Sequence, residues 1–445
     1  MSICLYLESE WRLIMESKSS FNSKEVLREY KNQLKKECMS FKINDEEKRK
    51  RKEGEFQRDF SRIMYSSSFR RLQGKMQLLR IENDKFFRNR LTHSLEVAQI
   101  ARSIAYQLNY DKDELYVVEA GALAHDIGNP PFGHAGESML NEIFQEIGGF
   151  EGNAQTLRIL TTTEKKKPGF QGLNLSYRTL LSVVKYYKKK KGGNSKFIYD
   201  EDYKTLKKFI DKHGVEVRTL DVQIVDLADE IAYAAHDLED GLRVKAFTID
   251  EILHEYGSEY GDYEYEKLYE LVEKAKKNSG YGKSKNVDSA EYNRLFRQEL
   301  CSLIVYTLIN DIDLVKIDDD FKNKTGTINE YELGFTNFYK LAKGLKKITF
   351  KCLTNTDDVF KYEKKGKLLL KYLSEFYIEN TELLPPEYRA KSIIDRYNLE
   401  CIESVYQKRL VCDYISGMMD SYAISTYEKI SGKKFDNILG DLKNE

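Results

Sequence analysis

The chain has 445 residues, and its 72 Lys and Arg balance 72 Asp and Glu, so the formal charge is zero and no global field draws it to nucleic acid. Its six cysteines (Cys4, Cys38, Cys301, Cys352, Cys401 and Cys412) show no C-x-x-C spacing, which argues against a secreted disulfide framework and fits a reducing, cytoplasmic setting. No run approaches the roughly 18 to 20 apolar residues of a membrane span, and Glu8, Glu10 and Arg12 interrupt the apolar start, which argues against a cleavable signal.

In chain order, residues 1–54 form a charged preamble. Its run Lys48-Arg49-Lys50-Arg51-Lys52 is read as a solvated helix in preference to a functional basic arm. From Leu91 to Leu108, the residues Val97, Ile100, Ala101, Ile104 and Leu108 recur at steps of three and four. They make one apolar stripe, and His93 sits on it four residues before Val97. Similar patterns cover 113–126, 137–147, 220–241, 293–315, 366–380 and 398–431. Val244 to Ile249 is expected to be a short extended piece. The dominant period is helical and no internal repeat is visible, so the fold class expected is all-α.

Between Thr161 and His213 the balance turns basic, with fourteen Lys and Arg against five Asp and Glu. An exposed loop or helical hairpin is expected there. The run Lys188 to Lys191, followed by Gly192-Gly193, is read as solvated surface rather than as a lobe that receives phosphates or a single nucleic-acid strand. Lys185, on the apolar-patterned run Leu180 to Tyr187, is the better phosphate candidate.

The stretch from His125 to Glu137, H-D-I-G-N-P-P-F-G-H-A-G-E, puts two histidines, two carboxylates and several helix breakers into thirteen residues. Adjacent His125 and Asp126 offer nitrogen and oxygen ligands at one point. Gly128, Pro130, Pro131 and Gly133 can turn the backbone so that His134 and Glu137 return toward them. A metal beside an acid/base pair is the expected chemistry. A fourth carboxylate must come from another helix, and in 220–241 the residues Asp229, Tyr233 and Asp237 fall at steps of four on one side, near Val222, Val225 and Ala232. A lone histidine on an apolar helix face is usually a satisfied core residue. Burying His93, His125 and Asp126 together without partners would cost several kcal/mol, which one shared cation would remove.

The order His93, His125-Asp126, Asp229 resembles the HD superfamily of metal-dependent phosphohydrolases. The finer detail is similar to the deoxyguanosine triphosphate triphosphohydrolase family. It lies in Arg58 to Leu78 with R-L-T-H-S-L-E-V at 90–97, in the His125 to Glu137 stretch with E-G-N-A-Q at 151–155 and G-L-N-L-S-Y at 172–177, and in A-D-E-I-A-Y at 228–233. Arg409 to Ala423 is similar to the family's C-terminal helix. Met76 and Met419 stand where the family usually has threonine, and neither the lysine-rich insertion nor 255–365 finds a counterpart.

The resemblance implies a helical phosphohydrolase core over 55–245, including an insertion near 161–213, and a helical part over 246–445 that completes the nucleotide pocket and interfaces. It implies one divalent ion per subunit, Mn²⁺ or Mg²⁺ before Fe²⁺, on His93, His125, Asp126 and Asp229. His134 is expected to take a proton from water while Glu137 holds its imidazole. Attack at the α-phosphorus would release a deoxynucleoside and intact triphosphate, with dGTP as the first substrate to try. Gln77 and Asp237 are expected at the sugar 3′-hydroxyl, Tyr233 under the deoxyribose, and Arg90 and Lys185 at phosphates. Arg70, Arg71 and Lys75 are divided evenly between phosphate contact and surface charge. A dimer-based homo-oligomer, tetramer or hexamer, is implied. The alternatives are an HD phosphodiesterase for another nucleotide, or a nucleic-acid-binding sensor that retains the site.

Overall fold

The computed structural model describes residues 23–44, 54–77, 88–168, 170–190, 196–282, 288–354, 357–390 and 404–441. The basic run at 48–52, Lys191 and the Gly192-Gly193 pair lie outside them. The principal helices are α1 Ser23–Leu34, α2 Glu55–Met64, α3 Arg90–Gln107, α4 Lys112–Ala124, α5 Gly133–Ile143, α6 Gly152–Arg158, α7 Asp200–His213 and α8 Leu220–Arg243. Then come α9 Ile249–Tyr260, α10 Asp262–Asn278, α11 Ser289–Asn310, α12 Tyr339–Thr354, α13 Asp357–Glu379, α14 Ser404–Ser416 and α15 Asp420–Ser431. The fold is all-α apart from one small antiparallel hairpin, β1 Ile312–Lys316 and β2 Tyr331–Phe335, in register from Ile312↔Phe335 to Lys316↔Tyr331.

Helix α8 is the axis. It is buried on most of its circumference, and α3, α4, α11 and α12 pack around it. One apolar core runs through these helices from Leu34 to Leu353, and a second joins α5 to α13, α14 and α15 through Phe132, Leu140, Leu370, Val411 and Ala423. The site lies where these two cores meet. Helix α3 starts abruptly because Asn89 and Thr92 form a capping box: Asn89 Oδ1 accepts from the Thr92 N–H at 3.0 Å and Thr92 Oγ1 from the Asn89 N–H at 3.1 Å. That start sets Arg90 and His93 in the first turn, at the site.

Several expected elements differ. The pattern over 293–315 ends as a helix at Asn310, and its last residues enter β1, where Leu314 is buried in a strand. Val244 to Ile249 is not a strand: Val244 caps α8, and Thr248 caps α9 with Glu251. Within the pattern over 398–431, the described residues from Ser404 form two helices, interrupted at 417–419, and 398–403 lie outside the described residues. The basic stretch after Thr161 is not an exposed loop throughout, because residues 178–185 are all buried. Arg178 is tolerated inside because Asp221 and Glu114 each bind it at 2.9 Å.

Candidate functional site

Three elements bring the four expected donors to one point: α3 carries His93, the turn after α4 carries His125 and Asp126, and α8 carries Asp229. Donor atoms of His93, His125 and Asp126 all lie within 4.8 Å of one another. Asp229 Oδ1 lies 3.1 Å from His93 Nε2 and 3.4 Å from His125 Nε2. All four residues are buried. His125 Nδ1 lies 2.6 Å from the Ala122 carbonyl, to which it donates, and Nε2 is turned into the cluster. That Nε2 is buried and makes no hydrogen bond among the described residues. Two imidazoles and two carboxylates, with the His125 Nε2 left without a hydrogen bond, fit a divalent ion such as Mn²⁺, Mg²⁺ or Fe²⁺.

Basic side chains hold the two carboxylates in place. Arg90 Nη1 donates to Asp126 Oδ2 at 2.6 Å, and Asn129 Nδ2 to Asp126 Oδ1 at 2.5 Å. Lys185 Nζ donates to Asp229 Oδ2 at 2.9 Å and lies 3.2 Å from Asp226 Oδ1. Burial opposes charge on both aspartates, but Arg90 for Asp126 and Lys185 for Asp229 outweigh it and keep the carboxyls below the usual range. Burial pulls His93 below its ordinary value.

The N-P-P-F-G-H turn aims the second cluster. Gly128 cannot carry a side chain, since a Cβ would collide with the Gly152 carbonyl and the Thr156 N–H at the start of α6. Phe132 and Gly133 are both left-handed, φ 61° and 55°, a conformation that is strained for phenylalanine by about 1–2 kcal/mol. Asp420 Oδ1 accepts the Phe132 N–H at 3.2 Å and braces that strain from α15. Helix α5 therefore begins at Gly133 and puts His134 and Glu137 one turn apart, with His134 Nδ1 3.0 Å from Glu137 Oε2. Glu137 Oε1 accepts from the Gly152 N–H at 3.1 Å and from Lys196 Nζ at 3.0 Å. Burial disfavours its charge, yet His134 and Lys196 hold the carboxyl down to about 2.

His125, Asp126 and Asp229 of the first cluster and both residues of the second line one cavity of about 1380 Å³, with Gln77, Arg90, Lys185, Tyr233 and Asp237 also in its wall. Tyr233 is held between the His93 ring, 5.2 Å away centroid to centroid, and Lys346 Nζ, 4.1 Å from its centroid. Gln77 offers a buried Oε1 without a partner among the described residues. Burial, and Asp240 after it, pushes the Asp237 carboxyl up to about 7. Lys343, Lys346, Lys347, Lys361 and Lys365 also line the cavity and bring cationic groups to it.

Arg70, Arg71 and Lys75 do not line the cavity. Lys75 is buried, with its ammonium on the Asn129 and Ser416 carbonyls, and tethers the turn to α14. Arg70 lies on the exterior, 6.0 Å from the Tyr65 ring centroid. Sequence reasoning missed Asp226, Lys196 and Asp420. Asp226 was visible three residues before Asp229 on one helix, whereas nothing local distinguished Lys196 from its neighbouring lysines or joined Asp420 to a turn 288 residues earlier.

The HD domain family matches residues 90–234, and the phosphohydrolase-associated domain family matches 336–429. The chain is 47% identical over 383 residues to the deoxyguanosinetriphosphate triphosphohydrolase-like protein 2 of Vibrio cholerae, covering 84% of this chain and 88% of that one. It is 33% identical to the deoxyguanosinetriphosphate triphosphohydrolase-like protein of Rickettsia bellii, over 86% of this chain and 93% of the relative. The similarly named protein of Geobacter metallireducens is 32% identical, over 84% and 88%.

Proposed function

The chain belongs to the HD-domain family of deoxyguanosinetriphosphate triphosphohydrolase-like proteins, a phosphohydrolase family, and from that we propose that it hydrolyses a deoxynucleoside triphosphate, dGTP first, to deoxynucleoside and inorganic triphosphate. The observation that carries this reading is one cavity lined by the His125, Asp126 and Asp229 donors, the His134–Glu137 pair and several lysines. His93, His125, Asp126 and Asp229 would hold Mn²⁺ or Mg²⁺. When bound, such an ion supplies positive charge that stabilises negative charge developing on phosphate oxygens.

The chain's own residues do the rest. Glu137 accepts the His134 Nδ1–H, so Nε2 carries the lone pair and takes a proton from water as it attacks the α-phosphorus. The bond from the α-phosphorus to the sugar 5′-oxygen breaks, the 5′-oxygen leaves and receives a proton from the His134 imidazolium or from water to give the deoxynucleoside, and the triphosphate, now carrying the water oxygen, remains intact. Arg90 and Lys185 face the phosphates while restraining Asp126 and Asp229. Tyr233, clamped between His93 and Lys346, packs under the deoxyribose and excludes a 2′-hydroxyl. Gln77 and Asp237 meet the 3′-hydroxyl, and an analogue without it leaves them unpaired. A dimer-based homo-oligomer completes this reading. Among the described residues no helix is long and apolar enough to cross a membrane.

The test is to incubate the purified chain with Mn²⁺ or Mg²⁺ and each deoxynucleotide in turn, then separate the products by chromatography. Deoxyguanosine with triphosphate is the expected pair. Deoxyguanosine monophosphate with pyrophosphate would mean that the bond between the α- and β-phosphates breaks instead of the bond to the sugar 5′-oxygen and would overturn the reading, and turnover of only a cyclic dinucleotide would make the chain an HD phosphodiesterase.

A further inference from the structure

We infer that Lys196, from the lysine-rich insertion, is a positioning residue for the His134–Glu137 pair; the inference rests on the proton-accepting role proposed for His134. Its ammonium lies 3.0 Å from Glu137 Oε1 and 2.8 Å from Glu151 Oε1, bridging two carboxylates that would otherwise repel each other. The side chain is only 32% exposed, so water screens these contacts less than at an open surface.

The lysine is held at its base as well as its tip. Phe197, Ile198 and Tyr199, the next three residues, are buried. The Ile198 N–H donates to the Lys188 carbonyl at 2.9 Å, and the Tyr199 hydroxyl to Gln155 Oε1 at 3.2 Å. Glu151 is equally constrained, since its Oε2 accepts the Ala154 N–H at 2.8 Å at the start of α6. Lys196 thus ties α5 to α6 through fixed partners.

The consequence reaches His134 because that imidazole is 78% exposed and, among the described residues, hydrogen-bonds only to Glu137. Glu137 Oε1 is occupied by Lys196 and the Gly152 N–H, which leaves Oε2 for the imidazole. Burial works against the Glu137 charge, and Lys196 is among the groups that overcome it. Remove the ammonium and Glu137 faces Glu151 with one N–H donor on that oxygen. The carboxylate then loses both its orientation and its hold on the Nδ1 proton.

The test compares Lys196→Met, Lys196→Arg, His134→Ala and the Lys196→Met/His134→Ala double variant in dGTP hydrolysis with Mn²⁺. Lys196→Met is expected to lower kcat at least about tenfold with KM within about twofold, Lys196→Arg to restore most of it, and Lys196→Met to add nothing once His134 is gone. A raised KM with unchanged kcat would make Lys196 a phosphate contact instead, and a further multiplied loss in the His134→Ala background would show that it acts independently; either outcome overturns the inference. If His134→Ala itself keeps the full rate, the proton-accepting role falls first. A readout without substrate comes from ¹H–¹⁵N imidazole spectra of the full chain, whose six histidines permit assignment of His134 by its loss in His134→Ala. Wild type should show the Nδ1–H tautomer and Lys196→Met a mixture. An unchanged tautomer in a folded Lys196→Met protein would also overturn the inference.

Discussion

In one part of the site His93, His125, Asp126 and Asp229 are buried and packed among ion pairs, whereas in the other His134 stands in solvent and, among the described residues, hydrogen-bonds only to Glu137. The two parts nevertheless share a device. Lys185 lies between Asp226 and Asp229, and Lys196 between Glu137 and Glu151. Clustered carboxylates stay ionised only if a cation is held among them, and a tethered lysine provides that before any substrate arrives. The difference is water. Ligand donors must be pre-arranged and dry, while an imidazole that exchanges protons must remain wet.

The sharpest way to break this comparison is in the dry part. His125→Ala or Asp126→Ala is expected to abolish turnover and bound metal together, measured by product chromatography and elemental analysis. Asp126→Ala should also lower stability by about 3–5 kcal/mol, because it leaves Arg90 buried without its carboxylate. A variant that kept both rate and metal would end the reading of that cluster.

In the wet part, His134→Ala should reduce kcat by roughly 10²–10⁴-fold while metal content stays as in wild type. Loss of metal in this variant would mean that the two parts are not separate.

The smallest effects come from two carboxyls of the cavity with opposite environments. Glu137 is held down from 4.5 to about 2, so it stabilises the fold above its ordinary value and loses that contribution as pH falls through about 2. Asp237 is pushed up from 3.8 to about 7, so its contribution is fully present below 3.8 and is lost as pH rises through about 7. At pH 8, Glu137→Gln should therefore destabilise by about 2–3 kcal/mol and Asp237→Asn should stabilise by about 2–4 kcal/mol, read from denaturant melts. The gain for Asp237→Asn should fade toward pH 4. Shifts of the same sign in both variants would refute the contrast.

Most of the helical framework was legible because the core-facing helices repeat at three and four residues. The periodic run from Leu91 to Leu108 is α3 within one residue at each end. The failures share a cause. Residues 312–315 are as apolar-patterned as the helix before them, and only pairing with 332–335 makes them a strand. Arg178 is buried because Glu114 and Asp221 reach it from other helices, which local charge counting cannot detect.

By itself the sequence determined which chemistry was available: adjacent His125 and Asp126, a turn rich in Gly and Pro that returns His134 and Glu137, and Asp229, Tyr233 and Asp237 along one side of a helix. These follow from backbone geometry over a few residues. Tertiary structure alone decided that Lys196 bonds Glu137, that Asp420 braces Phe132, and that Lys75 is a buried tether between backbone carbonyls. Charges and hydrogen bonds act through space over a few ångströms, and that neighbourhood is set by how helices cross, not by how far apart residues lie along the chain.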